Sequence, residues 1–374
     1  MLTRIWSLVI KEFIHLRNDW WLPVFMIIGG AMELLLVGWA TSRPITNLPL
    51  MVLDYDQTAA SRKVVTALIN TGTFSLEEQV TSIDTIEYAL DRGQITAAVI
   101  IPAGFSEEVA SPNGKPTLPV LLNGAESVPA SAALRAVEGV ARDLGEEIVV
   151  ERLGLDPDSF SGLNFSMRVW FNESLKEALY TTPAELALML EFTVLLFAAL
   201  SFSRERELGT LEQLLVMPFS SLEIIIAKSI PVVLIGMADF LLMLGLTHFI
   251  FGVPVRGSLV LLLVLAFGYL LVELGKGLAI SVASRTQHQA FLLVMLIGMT
   301  DFMFTGYAVP VESMPLILQR VALLVPAHHW LAIVRGILIK GTGLDILLPN
   351  VAALAVLGLV IGGISIRYVR RALD

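Results

Sequence analysis

The chain has 374 residues, 55% of them hydrophobic and only 16% charged, with no cysteine and a formal net charge of −9. Soluble domains run nearer 45–50% apolar and about 25% charged, so a mean hydropathy of +0.76 assigns the chain to a membrane. The absent cysteines exclude disulfides and thiolate metal sites. The five histidines lack any H-x-x-x-H or H-E-x-x-H spacing, which argues against a zinc enzyme.

In chain order, residues 1–19 place Leu2, Ile5, Trp6, Val9, Ile10, Phe13 and Leu16 at helical spacing, with Arg4, Lys11, Glu12 and His15 between them. This pattern predicts a basic amphipathic helix, lying in the cytoplasmic interface or packed on the helix bundle. The first membrane span follows within 20–42. Its apolar run, Trp20 to Ala40, is too long for the core of a cleaved signal peptide and contains Glu33.

Residues 43–182 read as a separate water-soluble domain. Within 44–180 there are 19 of the 34 acids and 9 of the 25 bases, a balance of −10, against 15 acids and 16 bases elsewhere, a balance of +1. That acidity argues against nucleic acid as a partner. The run "PLMVLDYD" reads as a strand, Thr58 to Thr71 as a helix, "ITAAVIIP" and "PTLPVLLNGAE" as further strands, and Pro129 to about Leu153 as a long helix. The alternation predicts a small α/β domain. It contains no dinucleotide-binding glycine pattern and no nucleophile elbow.

Residues 183–374 carry the remaining spans. Segments of about 20 apolar residues suffice to cross a bilayer, and six occur: 21–41, 184–202, 225–251, 258–281, 289–309 and 346–366. Between the last two, residues 310–345 are apolar but broken at Pro310, Pro315 and Pro326, which predicts short re-entrant helices at the outer leaflet. Arginine and lysine flank the spans mostly on one side, so both termini are expected in the cytoplasm. The expected fold is an α-helical polytopic membrane protein of six transmembrane helices. The α/β extracytoplasmic domain is inserted between the first and second, and re-entrant outer helices lie between the fifth and sixth.

Between the second and third spans lies "SFSRERELGTLEQLLVMPFSS", residues 201–221. Leu208, Leu211 and Leu215 form a narrow apolar stripe beside Glu205, Glu207 and Glu212, and Pro218 ends the helix. A charged helix with such a stripe suits docking into a groove of another protein. A bare loop with membrane-flanking charges is the plainer alternative.

The stretch "SRERELGTLEQLLVMPFSSLEIIIAKSIP" is similar to the R-E-x-E-x-G-T-x-E-x-L-x-x-x-P element of ABC type-2 permeases, and "FMFTGYAVPVESMPLILQRVALLVPAHHWLAIVRGILIKG" resembles their second signature. One departure is Ala327-His328-His329-Trp330, where relatives more often carry a hydroxyl or tyrosine after the proline. The resemblance covers the whole chain and implies the drug-exporter-like branch. It implies a permease that dimerises with a second permease, as homodimer or sister heterodimer, in the cell (inner) membrane. It also implies that 203–222 engages a separate ABC ATPase, with Arg204, Glu205, Glu207, Gly209, Thr210 and Glu212 at the coupling positions. In agreement, the sequence contains no G-x-x-x-x-G-K-[ST]. No cofactor is therefore expected in this chain, with ATP and magnesium on the partner. The implied cargo is a drug, a lipophilic antibiotic or a lipid. A stand-alone secondary transporter and a membrane-anchored receptor are the rival readings.

Counting inward at about 1.5 Å per residue places Glu33, Glu191, Asp239 and Asp301 between the bilayer middle and its outer half. No lysine or arginine is expected at their depth. Glu273 and Lys276, three residues apart, are expected to neutralise each other. An intramembrane carboxylate usually faces a cavity or partner, so the four acids form a candidate substrate path that would favour cationic amphipathic cargo.

Overall fold

A computed structural model describes residues 2–42, 45–154, 170–173 and 176–373. It divides into two compact units, one of residues 44–167 and the other of residues 1–43 with 168–374.

The smaller unit is a four-stranded sheet covered by helices on both faces. Its strands are β1 (Leu48–Asp54), β2 (Phe74–Val80), β3 (Ala97–Ile101) and β4 (Val120–Leu122), in the order β2-β1-β3-β4. β1 runs parallel to both β2 and β3, with Val52 opposite Val99, and β4 pairs antiparallel with β3, with Val120 opposite Val99. Side chains alternate across a strand. Leu48, Leu50 and Val52 therefore bury into one layer, and Met51 and Leu53 into the other. The first layer holds α3 (Ala59–Asn70), α5 (Phe105–Ala110) and α6 (Ser127–Leu153), and the second holds α4 (Ile83–Asp91). Burial on both faces is why β1 and β3 are nearly continuous in apolar residues.

The first turns of this unit are fixed by side-chain caps. Thr58 and Ser61 form a reciprocal capping box at the start of α3. Asp56 accepts from the backbone N–H of Gly104 at 3.1 Å and of Ser106 at 3.2 Å, closing the first turn of α5.

The larger unit is helical: α1 (Leu2–Asn18), α2 (Trp21–Ser42), α7 (Ala178–Glu207), α8 (Leu211–Val216), α9 (Ser221–Phe249), α10 (Leu259–Ala283), α11 (Gln287–Phe304), α12 (Leu316–Ala322), α13 (Pro326–Arg335) and α14 (Leu344–Leu373). Five of these, α2, α7, α9, α10 and α14, are long and apolar enough to cross a membrane. α12 with the helix from Pro326 to Lys340 makes a sixth candidate, bent by 80° at the break before Pro326. The expected span at 289–309 is realised as the 18-residue α11, whose first turn is Gln287-His288-Gln289 and which is not among the five.

α7 is the axis of the bundle. Of its most apolar window 78% is buried, against 17% for α2 and 11% for α14. Those two helices accordingly present Phe25, Ile28, Leu36, Leu359 and Val360 outward, as helices facing lipid do. Close approach depends on small residues where there is no water to drive helices together. A Cβ at Gly277 on α10 would collide with Ala198 of α7.

Candidate functional site

The four consecutive charges that end α7 knit five helices together, with Glu205 buried and Glu207 at the surface. Arg204 pairs with Asp19, just beyond α1. Glu205, 3% exposed, accepts from Lys228 of α9 at 2.9 Å and from Lys11 of α1 at 2.7 Å. Lys228 also donates to Glu12 of α1 at 3.1 Å and to the Ser201 carbonyl at 3.1 Å. Two ammonium groups thus meet two carboxylates, and the cluster is neutral. Arg206 donates to the carbonyls of Val282 and Ser284 at the end of α10. Glu207 accepts from the backbone N–H of Gln287 at 2.7 Å, capping α11.

After this knot the chain reverses. Gly209 adopts φ +70°, a conformation that favours glycine because it has no Cβ. The Thr210 N–H returns to the Glu205 carbonyl at 2.9 Å. α8 then begins, and Arg4 of α1 donates to the Pro218 carbonyl at 3.0 Å, fastening its far end. Leu208, Val216 and Met217 are 62%, 87% and 47% exposed, and Glu212 is exposed beside them. Glu205 lies inside while Leu208, Val216 and Met217 lie outside, an inversion of ordinary surface chemistry.

The acids of the bundle divide into three environments. Lys276 reaches Asp301 at 2.6 Å, Glu273 at 2.7 Å and Glu191 at 3.1 Å, so one ammonium serves three carboxylates. The expectation that no lysine reaches the depth of Glu191 and Asp301 is corrected here. Depth was counted at Cα, and a lysine stem extends its charge well beyond its own turn. Tyr269 donates to Glu191 at 3.3 Å, and its ring stacks on Trp330 at 5.0 Å. Asp239, fully buried, accepts from Thr193 at 2.8 Å. Glu33 is exposed and lines a cavity of about 560 Å³ with Glu185, Phe25, Met189 and Met299.

The profile of the ABC-2 family of transporter proteins matches residues 20–367. The chain belongs to the ABC-2 transporter family. It is 28% identical to a probable multidrug ABC transporter permease of Escherichia coli, YbhR, over 99% of each chain. A second such permease of that organism, YbhS, is 27% identical over 76% of this chain and 75% of its own. The E. coli inner membrane transport permease YhhJ is 26% identical over 96% of this chain and 94% of its own.

In this ABC-2 transporter chain the second quoted signature also has a structural use. Arg335 lies over the Tyr180 ring at 3.8 Å and donates to the Tyr180 carbonyl at 3.2 Å, tying α13 to the start of α7. His329, at the departure from the family pattern, is buried between Asn350 and the Leu323 carbonyl, each at 3.0 Å. Sequence reasoning missed three members of these sites. Lys228 lay inside an apolar run with nothing in the sequence to pair it with Glu205. Glu185 and Tyr307, which hydrogen bond to each other, are 122 residues apart. For the three-acid cluster the available signal was Lys276 itself, since ionisable residues within a membrane pair with one another.

Proposed function

We propose that this chain is the permease subunit of an ATP-driven exporter, that two such permeases assemble, and that a separate ABC ATPase docks on residues 203–222. Both termini and that segment face the cytoplasm of a cell with this protein in its inner membrane, and the cargo is lipophilic or amphipathic. The observation that carries the docking reading is the inversion at the end of α7. Leu208, Glu212, Val216 and Met217 lie on an outward surface, while Glu205 and Arg204 connect the base of that surface to α1 and α9. Movement of a docked ATPase would thus be delivered to the bundle through ion pairs. Gly209 and Thr210 shape the turn between the two.

In this reading the cavity beside Glu33 is the accessible part of the cargo path. Asp239 supports it from behind through Thr193, which lines the cavity, while Glu191 and Asp301 are held by Lys276. The test is copurification. Leu208→Glu with Val216→Asp should leave the permease inserted and reduce capture of a Walker-motif ATPase by at least tenfold, since interface anchors lost on truncation cost about 2 kcal/mol or more. Undiminished capture and ATP-dependent transport in that variant would remove the docking assignment.

The buried Lys276 cluster is also of the kind that relays protons in secondary carriers. Reconstituted transport separates the readings, because an exporter follows ATP and a carrier follows an imposed pH gradient.

A further inference from the structure

The smaller unit contains a cavity of about 430 Å³ between α3, α5, α6 and the sheet. Its walls are Val64 and Leu68 of α3, Phe105 of α5, and Val140 and Leu144 of α6, over a floor that includes Val99. Drug-sized ligands occupy clefts of about 300–1,000 Å³ lined mainly by apolar groups with a few placed polar ones. Its inner wall of valine, leucine and phenylalanine offers few polar partners to water, which needs two to four of them.

Two polar ties link the walls. The Arg152 guanidinium donates from all three nitrogens, to the carbonyls of Val109 at 2.9 Å, Gly114 at 2.9 Å and Glu108 at 2.6 Å. This fork anchors the end of α6 to the segment carrying α5. Lys63 of α3 pairs with Glu147 of α6 at 2.5 Å across the mouth. Arg152 thus fixes the end of α6 against the segment carrying α5, and the exposed Lys63–Glu147 pair links α3 to α6 at the rim.

The rim fixes the sign of the ligand. Lys63, Glu147 and Glu151 are the charged residues that line the cavity. Lys63 is spent on Glu147, and Glu151 makes no ion pair among the described residues. Among the lining residues the rim therefore presents Glu151 as a carboxylate without an ion pair beside an apolar interior, within residues whose overall balance is strongly acidic.

We propose that this cavity binds the apolar body of a small monocationic lipophile, with the positive group at the mouth beside Glu151. Only the step from ligand to exported cargo rests on the exporter reading. Binding is measurable without ATP or an ATPase, so the two assignments fail separately.

The full chain in lipid nanodiscs is exposed to an aryl diazirine bearing one quaternary ammonium, or to its uncharged alcohol twin, and cross-linked peptides are read by mass spectrometry. The cationic probe is expected to label peptides spanning 60–68 and 137–151 saturably. Ala141→Phe, which fills the cavity, should lower that labelling at least tenfold. Glu151→Gln should lower it about threefold for the cation and leave the alcohol unchanged. Because a filled cavity risks misfolding, a second arm uses the cysteine-free background. Cysteines replacing Lys63 and Glu147 are joined by a reducible bifunctional thiol linker, which should abolish labelling until reduction restores it. Labelling that does not saturate, or that survives both Ala141→Phe and the closed mouth, overturns the site. Equal loss of cation and alcohol in Glu151→Gln overturns the charge assignment. So does labelling by a photoactivatable phospholipid that the cation fails to displace.

Discussion

Lys228 of α9 and Glu205 of α7 meet at 2.9 Å, with side chains 3% and 4% exposed. Removing one partner of an isolated buried pair costs about 3–5 kcal/mol; here Lys11 still reaches Glu205 and Glu12 still reaches Lys228, so a single substitution unbalances the cluster at a lower cost. Lys228→Ala or Glu205→Lys should therefore lower the melting temperature and the inserted yield of the permease itself. The second substitution would crowd three ammonium groups around Glu12. Glu207→Lys, at an exposed carboxylate that only caps α11, should be far milder. The double variant Glu205→Ala/Lys228→Ala should be more stable than the sum of its singles predicts. Additive losses in a thermal-shift cycle would show that the pair is not coupled.

Orientation is testable in the same cysteine-free background. A cysteine at Asn113 should react with a membrane-impermeant thiol reagent added outside intact cells, and one at Gln213 should not. Both positions are exposed in the structure, and reaction of the Gln213 position after permeabilisation, in cells without the ATPase, shows that its silence reports sidedness and not cover. The reverse pattern would invert the chain in the membrane and remove the docking proposal with it.

What the sequence could and could not show follows from how each signal is carried. β1 and β3 were legible because both their faces are buried, which forces an apolar run. β2 was not, because only Phe74 and Val80 at its ends are buried while Ser75 to Gln79 lie on an edge, and polar edge strands carry little apolar pattern. α4 escaped for a similar reason, with Ile86 and Ala89 its only buried residues. The charged end of α7 was legible as a distinct element, but its direction was not. Glu205 and Glu207 look alike in a linear string, and only the packing of α1 and α9 turns one inward and leaves the other at the surface.

The Lys276 cluster predicts a graded response. Lys276→Met removes the one cation serving Glu191, Glu273 and Asp301, and should abolish stable insertion or lower it severely. Lys276→Arg retains the charge on a longer, planar group and should preserve insertion. If the cluster is structural, the quadruple variant Lys276→Met/Glu191→Gln/Glu273→Gln/Asp301→Asn should recover much of the yield lost in Lys276→Met, because an apolar or neutral replacement of a buried charge group is often tolerated. Yield and monodispersity in detergent measure this directly. A normal yield for Lys276→Met alone would show that the lysine is not holding the three helices together.

Asp56 offers a pH-dependent test in the smaller unit. The Thr58 hydroxyl above all, with the Ser106 hydroxyl and the N–H groups of Ser106 and Gly104, holds its carboxyl below the usual aspartate range, against the opposing effect of burial. A carboxylate whose folded pKa is depressed stabilises the fold above its unfolded pKa of about 3.9, and that contribution disappears as pH falls through the lower folded value. At pH 6, Asp56→Asn should therefore speed hydrogen exchange at the amides of Gly104 and Ser106 relative to the native chain. At pH 2.5 the ratio between the two proteins should move toward one, because the native carboxyl is by then losing its charge. Mass spectrometry of the peptide spanning 104–112 reads both conditions on the intact protein. A ratio that stays constant between pH 6 and pH 2.5 would mean that α5 is capped by geometry alone, and that the charge on Asp56 contributes nothing to it.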